Sequence, residues 1–196
     1  MLISLLLAVA EPIDTAQSDT DCSYDLDVML ALDRKAFDQD LTGGGWRALF
    51  DRGCYAEAAE LIREWRHEKR DYASILYTHE GQMRAYAGQS EEAIALLRLT
   101  YKPADQDAAG WNFYMDGTIA FLARDRKALG VAIERLKAVP VPTNIRAVRA
   151  DGKPITIKWP LNLDVLEAFE RCWERTYAEA AASDGECRRR EDRTVG

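Results

Sequence analysis

The feature that most constrains this chain is internal self-similarity. "THEGQMRAYA", residues 78–87, lies over "YMDGTIAFLA", residues 114–123, at a shift of 36. Glu80-Gly81 then matches Asp116-Gly117, and Met83 matches Ile119. A second echo runs through the turns. Gly88 stands five residues before Ala93 in "RAYAGQSEEAIALL", and Gly53 stands five before Ala58 in "DRGCYAEAAELI". Periods of this size mark stacked supersecondary units. One unit cannot bury its apolar face alone, so about three are needed for a stable stack.

Apolar periodicity makes the units helical. "YASILYTHEGQMRAYAG" and "SEEAIALLRLTY" read as two helices, with Ser90 as N-cap and Glu91 and Glu92 in the first turn, where the helix dipole favours acids. In the next unit "ARDRKALGVAIERL" supplies the second helix, with Asp125 at the turn. Before them, Asp25 to Asp38 reads as one helix, "LTGGGW" as a flexible break with Gly44 in an open turn, and Trp46 to Phe50 as a short helix ended by Gly53. Small residues belong where paired helices cross. Gly81 and Gly117 are expected to let the first helix of each pair meet its own second helix, with Ala58, Ala93 and Ala128 opposite.

A 34–36-residue unit with these glycines and alanines resembles the tetratricopeptide repeat. The likeness covers about residues 45–140, with Trp46, Gly53, Tyr55 and Ala58, then Gly81, Gly88, Ala93 and Leu97, then Gly117, Ala128 and Pro140 as its carriers. It implies an all-α fold: a short right-handed solenoid of about three degenerate pairs, at 45–70, 72–103 and 108–140. The layout resembles exported bacterial proteins of this repeat type. The resemblance also implies binding through the concave face, lined by Ile75, Thr78, Gln82 and Tyr86 in one pair and Trp111, Tyr114, Thr118 and Phe121 in the next. Either a peptide or partner helix occupies that groove, or the chain's own C-terminal helix fills it.

Past Pro140 the texture changes. Prolines, an Asp151-Gly152 turn and β-branched neighbours fit a small hairpin over 144–159, or an irregular connection, within a 141–160 insertion. Asn162 then caps a final helix over 162–182 that closes the stack, completing a single domain over 24–184. Residues 185–196 read as a polar tail containing the solvated run Arg188-Arg189-Arg190.

Residues 1–10 are an apolar run ending in Ala8-Val9-Ala10. It is too short for the roughly 20 residues of a membrane span and fits a secretory signal, although no Lys or Arg precedes it. The mature chain is expected to begin with an extended 11–23 segment, to have no membrane span, and to be periplasmic or secreted. Four cysteines, Cys22, Cys54, Cys172 and Cys187, form no C-x-x-C pair. They allow three pairings, of which sequence order favours Cys22–Cys54 and Cys172–Cys187. The alternative is four reduced thiols.

The 196-residue chain carries a net charge of −7, which argues against nucleic acid as partner. His67 and His79 lack the spacing of a zinc site, and no phosphate loop or nucleophile elbow is present, so neither metal nor cofactor is expected. The reading is a non-enzymatic interaction or scaffold module for a protein or peptide partner. The alternative is an envelope hydrolase sited between stack and insertion. Glu80, Asp116 and Arg84 form its one polar cluster, and it requires the two carboxylates to converge.

Overall fold

A computed structural model describes residues 20–142, 158–183 and 185–188. The expected signal segment 1–10, most of the expected hairpin, and Arg189 and Arg190 lie outside them. The described residues are helical and contain no strand.

The first expected helix is broken in two. Helix α1, Leu26–Ala31, starts on the Asp25 carboxylate, which accepts from Val28 N at 3.1 Å. It stops at Leu32, and a π-helical turn over Lys35–Gln39 follows. One local and one tertiary bond explain the break. Asp33 offers its own cap to Ala36 N at 2.8 Å, and the Leu32 carbonyl accepts from Trp65 Nε1 at 3.2 Å. Phe37 is thereby stacked on Trp65, ring centroids 4.5 Å apart. The glycine run is not an open hinge. A Cβ on Gly44 would lie 2.5 Å from the Asp40 carboxylate, and one on Gly45 would strike the Phe37 backbone.

Helix α2, Arg47–Asp51, ends before Gly53, which sits at φ +79°, the left-handed region expected of a closing glycine. Then come α3, Tyr55–Lys69; α4, Ser74–Tyr86; α5, Ser90–Arg98; α6, Trp111–Leu122; and α7, Arg126–Lys137. Asp125 caps α7 through Ala128 N at 2.9 Å, as its position suggested. Ser90 does not cap α5. It is the first helical residue, and the preceding Gln89 accepts instead from Arg84 Nη1 at 2.8 Å.

Each of these helices packs chiefly on its neighbours in the chain, α3 on α4, α4 on α5 and α6 on α7. At the α4–α5 crossing Gly81 behaves as expected. A Cβ there would come to 3.1 Å from Leu97 and 3.4 Å from the Ala93 carbonyl. Gly117 does not. Its added Cβ would meet Leu166 methyls at 2.6 and 2.7 Å, so the close approach is to the C-terminal helix and not to α7. Ala58 and Ala93 are fully buried, whereas Ala128 is partly exposed and lines an open cleft.

The final helix is also divided. Helix α8 spans Leu163–Arg171 and α9 spans Tyr177–Ala181. Thr176 and Glu179 form a reciprocal capping box that starts α9 afresh, and Arg124 donates to the Trp173 and Arg175 carbonyls in the gap. Asn162 stands at φ 62° before α8 but makes no side-chain cap. The beginning of the expected tail is structured. Glu186–Arg188 form a 3-10 turn, Cys187 is buried, and Arg188 pairs with Asp164 at 2.5 Å.

Two disulfides clamp the ends, Cys22–Cys54 and Cys172–Cys187, in the order-favoured pairing. Such bridges fit a compartment outside the reducing cytoplasm. Among the described residues, no helix is long and apolar enough to cross a membrane.

Candidate functional site

The concave face is the surface on which the repeat resemblance places a ligand. Here most of the residues expected to line it are covered by the chain itself. Tyr86, at the end of α4, meets Tyr177 of α9 edge-on at 5.1 Å, and also contacts Phe50 and Tyr55 at 5.2 and 5.0 Å. It joins the N-terminal apolar cluster to the C-terminal one. Tyr114 is buried beside Tyr177. Burial pushes its hydroxyl pKa up, against the lowering effect of hydrogen bonds with Thr118 and Gln82. Thr78 and Thr118 are buried, and each donates to the carbonyl four residues back, at 3.0 and 2.9 Å. Phe121 stacks on Phe169 of α8 at 4.5 Å.

Trp111 is turned toward the 100–102 loop, where its Nε1 donates to the Thr100 carbonyl at 3.0 Å and Lys102 approaches its ring. Of the eight groove residues, then, Tyr86 and Tyr114 lie beside Tyr177, Phe121 packs on α8, and Gln82 is half-buried next to Tyr114. Thr78 and Thr118 are buried side chains bonded to their own helices, Trp111 packs elsewhere, and Ile75 is exposed. They do not form an open groove. The physical reason is the apolar face of the C-terminal segment. Leu166, Phe169 and Tyr177 must leave water, and the concave surface is the apolar area available.

The polar cluster does not converge either. Glu80 accepts from Arg66 Nε at 3.0 Å and Nη2 at 2.5 Å, with both side chains buried. Arg84 bonds Glu60 at 2.5 Å and lies 4.0 Å from Glu80. Asp116 is engaged separately, accepting from the Tyr101 hydroxyl at 2.5 Å. Glu80 and Asp116 are thus held by different partners rather than drawn into one cluster.

One buried constellation was invisible in the sequence. Asp38 is fully buried, and its Oδ1 meets His79 Nδ1 at 2.6 Å and Trp46 Nε1 at 3.1 Å. Burial alone would raise the pKa of Asp38. The His79 hydrogen bond and charge, with the Trp46 bond, outweigh it and hold the carboxyl below its usual range. His79 stands 41 residues from Asp38, so no local spacing announces the pair. It ties the π-helical turn to α4. Cys22, Cys54 and Glu57 also lie close together, but both sulfurs are in the disulfide and offer no thiolate to a metal.

One accessible concavity lies over α6, between α7 and the end of α5 with Tyr101 beyond it. It is a cleft of about 600 Å³. Ile119 and Ala120 of α6, Ala123 at its C-cap, and Ala128, Val131 and Ala132 of α7 give it an apolar lining. Val131 is exposed, as is Leu99 next to Arg98. Arg98, Lys127 and Arg135 add three cations. Among the described residues none of the three has a carboxylate within 4.0 Å. The cleft's two acids are both engaged. Asp125 caps α7, and Asp116 accepts from Tyr101, whose own pKa is pushed far up by burial and by that carboxylate. Sequence reasoning missed this surface because it treated Ala128 as a packing position. The signal was Lys127, Val131 and Arg135, a four-residue repeat along one exposed face of α7.

Comparison with protein families, with curated proteins and with solved structures finds no match to this chain.

Proposed function

We propose that this chain is an exported interaction module: a short right-handed solenoid of tetratricopeptide-like helix pairs, clamped at both ends by disulfides, that binds a protein or peptide and carries out no catalysis of its own. The observation that carries the reading is the α5–α7 cleft. Its apolar lining and its cations, unpaired among the described residues, are accessible, while the expected groove is largely covered by the chain's own helices α8 and α9. Aromatic and aliphatic surface with a charged rim is the composition of a docking site. Sequential packing of α3 to α7 supports the repeat resemblance, and the two disulfides support export. The apolar segment ending at Ala10 is then a signal peptide removed before Glu11.

Isolation from the native host without reductant tests this. Intact mass should give a chain starting at Glu11 with two disulfides, and the protein should elute with a stoichiometric partner after mild cross-linking. A cytosolic chain starting at Met1 with four free thiols would refute export. A bare monomer under every cross-linking condition would refute the interaction role.

A further inference from the structure

The α5–α7 cleft has features that narrow what can fill it. Its floor and one wall are α6 and α7, and the opposite edge is Arg98 at the end of α5 with Tyr101 beyond it, so the trough runs along the packed α6–α7 pair. The lining residues Lys127, Val131 and Arg135 recur every four positions on α7. They span two turns, about 12 Å along the axis. Alanines at 120, 123, 128 and 132 keep the trough shallow in side chain. Helices approach to about 8–10 Å between axes, and the shorter distances need small residues at the contact. Such a trough suits the apolar stripe of another helix.

Charge then selects the helix. Arg98 stands on one wall and Lys127 and Arg135 on the other, none of them ion-paired among the described residues. The acids in the cleft are satisfied by Tyr101 and by the α7 N-terminus. The lining thus carries three cations against two hydrogen-bonded carboxylates, a net charge of +1, although the whole chain is at −7. That local reversal favours an acidic partner and disfavours a second, equally acidic copy of this chain.

Resting on the reading of this chain as an interaction module, we propose that the cleft between α5 and α7 docks one amphipathic helix of a partner protein, its apolar stripe over Ala120, Ala128 and Val131 and its Asp or Glu side chains flanking that stripe toward Arg98, Lys127 and Arg135. The partner helix needs two to three turns of contact. Binding weakens with added salt, because exposed charge pairs are screened within about 8–10 Å at physiological ionic strength.

A displayed library of random 16-residue peptides, selected on the oxidised protein and counter-selected on the Lys127→Glu/Arg135→Glu variant, tests the proposal. The enriched peptides should carry apolar residues at i, i+3, i+4 and i+7 flanked by Asp or Glu. Their affinity should fall about tenfold or more in the double reversal and change little in Lys69→Glu, which alters charge on α3. If the reversed protein does not fold, the milder Lys127→Gln/Arg135→Gln pair replaces it, with a smaller loss expected. Enrichment of basic or uncharged peptides overturns the proposal, as does enrichment of none, or of peptides indifferent to the cleft variants. Concentration-dependent self-association abolished by the reversal also overturns it, placing a second copy in the cleft. The native partner complex separates this failure from that of the broader reading. A complex that survives the reversal leaves an interaction module that docks elsewhere.

Discussion

Three mid-helix glycines give the packing a graded test. Replacing a helical glycine by alanine gains about 1 kcal/mol from the lower chain entropy of alanine, provided the new methyl fits. On α7, a Cβ at Gly130 would meet nothing within 4 Å. Gly130→Ala should therefore stabilise by about 1 kcal/mol. At Gly81 the methyl would come to 3.1 Å from Leu97, tight but not impossible, so the gain and the crowding should nearly cancel. At Gly117 it would stand 2.6 and 2.7 Å from two Leu166 methyls and 3.1 Å from Cγ. Leu166 is fully buried and cannot swing into solvent. Overpacking of this kind costs about 1–3 kcal/mol, leaving a net loss of roughly 0–2 kcal/mol after the helix gain. For a domain of this size each kcal/mol moves the melting point by about 2–4 °C. Thermal melts under oxidising conditions should rank Gly130→Ala above wild type, Gly81→Ala near it and Gly117→Ala below. Adding Leu166→Ala to Gly117→Ala should cost less than Leu166→Ala alone, which by itself loses about 2–5 kcal/mol. Equal stabilisation at Gly117 and Gly130 would refute the seating of α8 on α6.

Further outcomes follow from the buried groups. Tyr86→Ala should cost about 3 kcal/mol, because the ring joins both apolar clusters, and lower the melting point by roughly 6–12 °C; an unchanged melt would mean an open concave groove. Asp38→Asn should destabilise at pH 7. Because the folded pKa of Asp38 is lowered, its contribution is complete above the unfolded value near 4 and is lost as pH falls through the folded value, so the gap between variant and wild type should narrow below about pH 4 in chemical denaturation. Cys172→Ser/Cys187→Ser opens a 15-residue loop and should cost about 3 kcal/mol, with faster amide exchange in α9; unaltered exchange there would show that the bridge does not hold the covering segment.

What the sequence revealed was whatever is decided over a few residues. Gly53 could be placed because a left-handed turn needs it, and Asp125 because an N-cap lies three residues from the amide it serves. Gly81 was legible because its partner helix comes next in the chain. Gly117 carried the same mark of a small residue at a crossing, but nothing local distinguishes α7 from α8 as the helix that arrives. The Asp38–His79 pair depends on the tertiary path and has no spacing to betray it. Thr176 and Glu179 did stand in plain view as a capping box. The continuous apolar stripe from Leu163 to Trp173 hid it by suggesting one long helix. The cleft went unread for a related reason. Periodicity tells which α7 residues share a face, but not that Val131 on that face stays exposed.

Site-specific photo-cross-linking in the native host tests the docking account most directly. A photoreactive residue at position 131, in the cleft, should join the protein to one partner, and the cross-linked peptide should be a helix with Asp or Glu flanking its apolar stripe. The same residue at position 28, exposed on α1, should give no such product. Equal cross-linking from 28 and 131, or a basic segment captured at 131, would contradict the account.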